Sequence, residues 1–154
     1  MELKPLALGG FTNVRNLFMK DLEALPDDAF TTSFGPACRA VADIVYEVNL
    51  VNDHVGIVIR GEEAFPWPDE GWIKAPKDFR TKAAVVAGYK ASTDKIIATI
   101  EGFSEADLEG KLQTEQGETT RYQRCQFMMI HTWYHLGQLN FVQTLLGDTE
   151  WHWS

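Results

Sequence analysis

Four histidines, His54, His131, His135 and His152, carry most of the chemical potential of this sequence. Two of them form His131-Thr132-Trp133-Tyr134-His135, an H-x3-H pair inside a segment of helical period. Residues four apart on a helix lie one above the other, with Cβ atoms about 5–6 Å apart, so two imidazoles can reach one metal ion. The same face runs back through Met128 and forward through Gln138, Val142 and Leu145, a stripe that should point into a helical bundle. Bare imidazoles buried there cost desolvation unless each finds a partner, and a metal ion satisfies both acceptor nitrogens at once. The plainer alternative is a half-buried pair with no ligand.

A third ligand must come from another element. His54 lies beside Val51 and Val58 at the edge of an earlier apolar stripe, with Glu47 two turns away on the same side. If that helix runs antiparallel to the last one, the late position of His54 falls level with His131 and His135. The expected metal set is therefore His54, His131 and His135. Three imidazoles with an open position are the pattern of a catalytic divalent-metal site, since structural zinc is normally closed by four protein ligands. Such an ion can acidify water, polarise a carbonyl or hold a thiolate. Zinc suits these ligands, as do nickel, copper and iron.

Competing motifs are missing. There is no H-E-x-x-H, and no histidine has a glutamate three positions before it, which excludes a zincin protease and a carboxylate di-iron bundle. Glu47 and Gln138 fall near the site on their helical wheels, where orienting an imidazole fits them as well as acid–base work does. No general base is assigned. Cys38 and Cys125 read as structural thiols, two being too few for a disulfide framework. In Trp151-His152-Trp153-Ser154 the tryptophans either pack back on the bundle or on a second subunit, or the tail frays, and His152 is a weak candidate ligand.

The elements that must hold these residues follow from period and punctuation. A first helix runs from about Phe11 to Leu25, with Val14, Leu17, Phe18 and Leu22 on one face and Pro26 ending it. A second runs from about Ala37 to Ile59 and stops at Gly61. Gly61 to Lys77 interleaves Pro66, Pro68 and Pro76 with Phe65, Trp67 and Trp72, so it is a long packed connection. Links between neighbouring antiparallel helices are usually about 2–8 residues, so this one crosses from one end of the bundle to the other and makes the second and third helices parallel. The third helix runs from about Thr81 to Glu101, and Ser104-Glu105-Ala106-Asp107 is a capping box opening a short turn. Gln113 to Thr120 is a loop or small hairpin, and Thr119 or Thr120 caps a last helix from Arg121 to Leu146. The expected fold is an all-α four-helix bundle, up-down-down-up, with a long crossover between helices 2 and 3.

The whole chain of 154 residues has apolar material for one core, so residues 1–154 read as a single domain. With 14 Lys and Arg against 22 Asp and Glu, a net charge of −8 and no basic cluster, duplex nucleic acid and anionic membranes are poor partners. No segment reaches the roughly 20 apolar residues of a membrane span, and the N-terminus lacks a signal-peptide core. The expected setting is cytoplasmic and reducing.

Together, Asn49-Leu50-Val51-Asn52-Asp53-His54 and His131-Thr132-Trp133-Tyr134-His135-Leu136-Gly137-Gln138-Leu139, leading to Leu145-Leu146-Gly147-Asp148, resemble the DinB-like (YfiT-like) metalloenzyme superfamily. The resemblance spans essentially the whole chain in helix order and length. It implies a frequently dimeric bundle with zinc or nickel on one histidine of the second helix and two of the last, matched here by His54, His131 and His135. It also implies thiol-dependent transfer or isomerisation with bacillithiol or mycothiol, hence a divalent-metal S-transferase acting on small electrophiles in stress or detoxification. A metal-dependent hydrolase and a non-catalytic metal-binding or dimerisation bundle are the alternatives. The expected partners are a small-molecule substrate and a second copy in a homodimer.

Overall fold

The computed structural model describes residues 2–68, 71–115 and 117–154; Met1, Asp69 and Glu70 of the expected crossover, and Gln116 of the expected loop or hairpin lie outside them. Helix α1 spans Leu3–Ala24, eight residues earlier than the apolar period suggested. Pro5 does not block it, because the first-turn amides of a helix have no intrahelical acceptor to lose. Those amides are met from a distance: the Leu3 and Lys4 N–H groups donate to the Glu105 carboxylate at 2.7 and 2.9 Å. After a 3-10 turn at Asp27–Phe30, α2 spans Val41–Ile59, starting four residues later than expected. It ends at Gly61, whose φ of +79° turns the chain so that its amide and that of Glu62 reach the Val58 and Ile57 carbonyls.

Helix α3 spans Lys82–Gly102, capped by the Thr81 hydroxyl, which accepts from the Ala84 N–H. The Ser104 and Asp107 capping box opens α4 at Glu105–Glu109. Strands β1 (Lys111–Thr114) and β2 (Gly117–Thr120) form an antiparallel hairpin with Lys111 opposite Thr120. It leads into α5, Arg121–Leu145, whose capping box is Thr120 with Gln123. The protein is thus mostly helical, with one small two-stranded sheet.

Side-chain bonds fix the directions. Lys82, heading α3, donates to the Glu23 and Leu25 carbonyls at the end of α1, while Lys4, heading α1, donates to Glu101 near the end of α3. These two helices are antiparallel. Arg121 at the head of α5 donates to the Ile59 carbonyl at the foot of α2, so α2 and α5 are antiparallel too. Asp43, in the first turn of α2, accepts from Arg80, just ahead of α3. Both helices therefore start at the same end, and the connection between them runs the length of the molecule. Helix α1 packs on α3 and α5, and α2 packs on the same two.

The core has two apolar halves. One gathers Phe18, Leu22, Phe30, Val45, Val48, Tyr89, Leu136 and Leu139; the other gathers Phe11, Val55, Ile59, Ile96, Ile100, Leu108 and Met128. At the level between them the buried residues turn polar: Asn49 and Asn52 on α2, Ser92 and Thr93 on α3, Thr132 and His135 on α5. No helix among the described residues is long and apolar enough to cross a membrane.

Candidate metal centre

The four-residue spacing on α5 places the His131 and His135 Nε2 atoms 3.1 Å apart. His135 is 1% exposed and His131 is half-buried. Across the α2–α5 seam, Glu47 brings its Oε1 to 3.7 Å from each of these nitrogens. Glu47, His131 and His135 form a cluster whose potential ligand atoms all lie within 4.8 Å of one another.

Each member is held by a neighbour. The Arg39 guanidinium, just before α2, pairs with the other Glu47 oxygen and lies 4.5 Å below the Trp72 ring centroid, so the crossover covers the ion pair. Gln138, one turn beyond His135, offers its Oε1 to His135 Nδ1 at 2.9 Å. Phe127 stacks on His131 and Tyr134 meets His135 edge-on. Burial alone would raise the Glu47 carboxyl, but the two imidazoles and Arg39 together hold it well below the usual carboxylate range. It is an anion at neutral pH.

This donor set fits a divalent cation. In the neutral, metal-binding form of the pair, with His135 Nδ1–H donating to Gln138, its Nε2 is a bare acceptor beside His131 Nε2, and His131 Nδ1 is buried without a protein partner. Two imidazole lone pairs and a carboxylate oxygen facing one point are poorly satisfied by one another. The 3.1 Å between the nitrogens is near the roughly 3.3 Å edge of a tetrahedron drawn with bonds of about 2.0–2.1 Å.

His54 is not among the converging donors. Its ring makes edge contacts with Phe65 at 5.1 Å and Trp67 at 5.6 Å, where it helps seat the crossover. The reason is register: His54 lies seven residues beyond Glu47 on α2, about 10.5 Å along the axis, and α5 runs the other way. The position level with His131 and His135 is therefore held by Glu47. His152 bonds Asp148 at 2.7 Å within the C-terminal segment. Cys38 and Cys125 are free thiols, the second buried in the core and pushed up to about 11. Arg39 was not singled out by sequence reasoning at all. Its only signal is the eight-residue spacing to Glu47, which carries no period across the non-helical start of the segment.

A family model described as the DinB superfamily matches residues 10–139. No curated protein matches the chain by sequence. Among solved structures, a conserved protein from Enterococcus faecalis superposes with a TM-score of 0.73 at 14% identity, covering 96% of this chain and 99% of its own. A DinB-like protein from Bacillus subtilis gives 0.70 at 16%, covering 94% of each chain. A mycothiol-dependent maleylpyruvate isomerase gives 0.62 at 13%, covering 88% of this chain and 60% of its own.

Proposed function

Because this chain belongs to the DinB superfamily, we propose that it is a metal-dependent enzyme that holds one divalent transition-metal ion through His131, His135 and Glu47 and acts on a small molecule. The observation that carries the reading is the meeting of two Nε2 atoms and one carboxylate oxygen across the α2–α5 seam. The second-helix ligand in this reading is Glu47 rather than His54. Two imidazoles and a carboxylate are a zinc donor set, which puts zinc ahead of nickel. A bound divalent ion supplies Lewis acidity, lowering the pKa of a thiol or water in its open position.

The protein's own groups set up that chemistry. Gln138 fixes the His135 tautomer so that Nε2 faces the cluster, and Arg39 occupies one Glu47 oxygen so that the other faces the imidazoles. Phe127 and Tyr134 wall the imidazoles with aromatic surface. Thiol-dependent S-transfer to a small electrophile is supported by the fold shared with an isomerase named for its dependence on mycothiol. Hydrolysis is the second reading, favoured by the two-imidazole, one-carboxylate set found in zinc hydrolases. In the same proposal the four long helices form an up-down-down-up bundle in one domain, with α4 and the hairpin as an excursion before α5.

Elemental analysis of protein purified under zinc-replete conditions tests the centre. About one zinc per chain is expected for the wild type, with a loss of at least tenfold in affinity for Glu47→Gln and for His131→Ala. A wild-type protein that takes up no transition metal would sink the proposal.

A further inference from the structure

Among the described arginines, one on the same helix as the centre's imidazoles has no counterion. Of six arginines in the chain, Arg15 pairs with Asp94, Arg39 with Glu47, Arg60 with Glu62 and Arg80 with Asp43, while Arg121 donates to the Ile59 and Asp107 carbonyls. Arg124 has no hydrogen bond or ion pair among the described residues, and its Nε is buried without a partner. Its guanidinium lies 4.9 Å from the Phe127 ring centroid, and Phe127 stacks at 6.0 Å and 27° on His131. Spacings of three and four put Arg124, Phe127 and His131 on one stripe of α5, so an aromatic floor joins the guanidinium to the donor cluster. The register set by Arg121 on Ile59 and by Glu47 on His131 brings His54 of α2 level with the turn from Arg124 to Phe127. The His54 Nδ1 is also buried without a partner.

A half-buried guanidinium that finds no acceptor in its own fold is costly to keep there. Burial indeed makes Arg124 give up its proton more readily than an exposed arginine. From this placement we infer that Arg124 is the docking point for a carboxylate on the substrate, so that the protein acts on small organic acids whose reacting end reaches Glu47, His131 and His135. The planar fork of arginine matches a carboxylate with two parallel hydrogen bonds. A doubly charged phosphate calls for a second cation, and the nearest one along α5, Arg121, already serves two carbonyls. Phe127 suits the short hydrocarbon body between the carboxylate and the reacting end.

The substrate class rests on the metal-centre reading above, but the docking point does not. The test is calorimetric titration of glutarate into wild type, Arg124→Gln and Arg124→Lys, each zinc-loaded and zinc-stripped, with the neutral dimethyl ester as control. Wild type should bind glutarate in both forms and ignore the ester. Arg124→Gln should lose at least tenfold in affinity in both forms at unchanged zinc content and helical circular dichroism, and Arg124→Lys should fall between. Equal affinity in wild type and Arg124→Gln would overturn the inference, as would no saturable heat with wild type or tighter binding of inorganic phosphate than of glutarate. Arg124-dependent glutarate binding by a protein that takes up no zinc supports the docking point and sinks only the metal centre.

Discussion

At the scale of single residues, the metal reading turns on which side chain of α2 faces the α5 pair. His54 contacts Phe65 and Trp67, whereas Glu47 faces both imidazoles. We therefore expect His54→Ala to keep its full zinc load and to lose only packing, about 1 kcal/mol for two edge-on aromatic contacts. Zinc analysis with urea denaturation separates these effects, and a loss of metal on His54→Ala would restore the histidine as a ligand. Gln138→Leu removes the acceptor of His135 Nδ1 at constant bulk and frees the ring to change tautomer. As a positioning residue it should cost about 10–100-fold in zinc affinity, read by competition with a chelator, while the helical signal stays as in wild type. The H-x3-H pair was legible in the sequence because its partners lie within one helix turn. Which side chain of α2 comes nearest that pair was not, since telling Glu47 from His54 needs the register of α2 against α5 to within two turns. That register is set by contacts such as Arg121 on Ile59, which join residues far apart in the chain.

At the scale of elements, the interior of each helix was legible from apolar period, and the ends were legible where a local signal marked them. Gly61 stops α2, and Ser104 and Thr81 open their helices through their own hydroxyls. The start of α1 was hidden because its cap is Glu105, about a hundred residues away, and no local pattern announces it. The start of α2 was overextended because Ala37, Cys38 and Ala40 fit the apolar period without being helical. Helix α5 carries both imidazoles, and its first turn is held by the reciprocal bonds of Thr120 and Gln123 at 3.2 and 2.9 Å. Thr120→Ala removes the hydroxyl acceptor and exposes a first-turn amide, at a cost of about 1 kcal/mol. Urea unfolding should show that loss as a lower midpoint with an unchanged slope. Zinc affinity should hold, since His131 lies about three turns from the cap; a collapse of zinc binding would mean that the end of α5 sets the geometry of its middle.

At the scale of the whole molecule, two surfaces remain to be placed. Ile130, Tyr134 and Phe141 are 62%, 61% and 63% exposed along one stripe of α5. Residues 125–147 contain no charged side chain in a protein of net charge −8. An uncharged apolar stripe has nothing to offer a charged partner and complements its own copy, which supports a homodimer across α5. Sedimentation should then give a dimer for wild type and a monomer for Ile130→Glu combined with Phe141→Glu, and a wild-type monomer at high concentration would exclude it. The second surface is the C-terminal segment, which packs on α1 and α5, with Trp153 5.9 Å from Trp133. Trp153 donates its Nε1–H to Asp21 Oδ1 at 3.0 Å, Asn140 bonds the other oxygen, and Lys20 reaches the Ser154 carbonyl, so this part of the tail is docked while Trp151 stays exposed. Asp21 is fully buried, and burial pushes its carboxyl above the usual 3.8 despite the hydrogen bonds from Trp153, Asn140 and Gln143. The folded protein thus holds the Asp21 proton more tightly than the unfolded chain does. The resulting stabilisation is complete below 3.8 and is lost as pH rises through the folded value. The amide of Asp21→Asn does not titrate, so the stability of wild type relative to that variant should fall from about pH 4 until the folded Asp21 has ionised and then level off. Urea midpoints measured in parallel across that range read the slope, and a difference that is flat or that grows with pH would show that the tail seats an ordinary carboxylate.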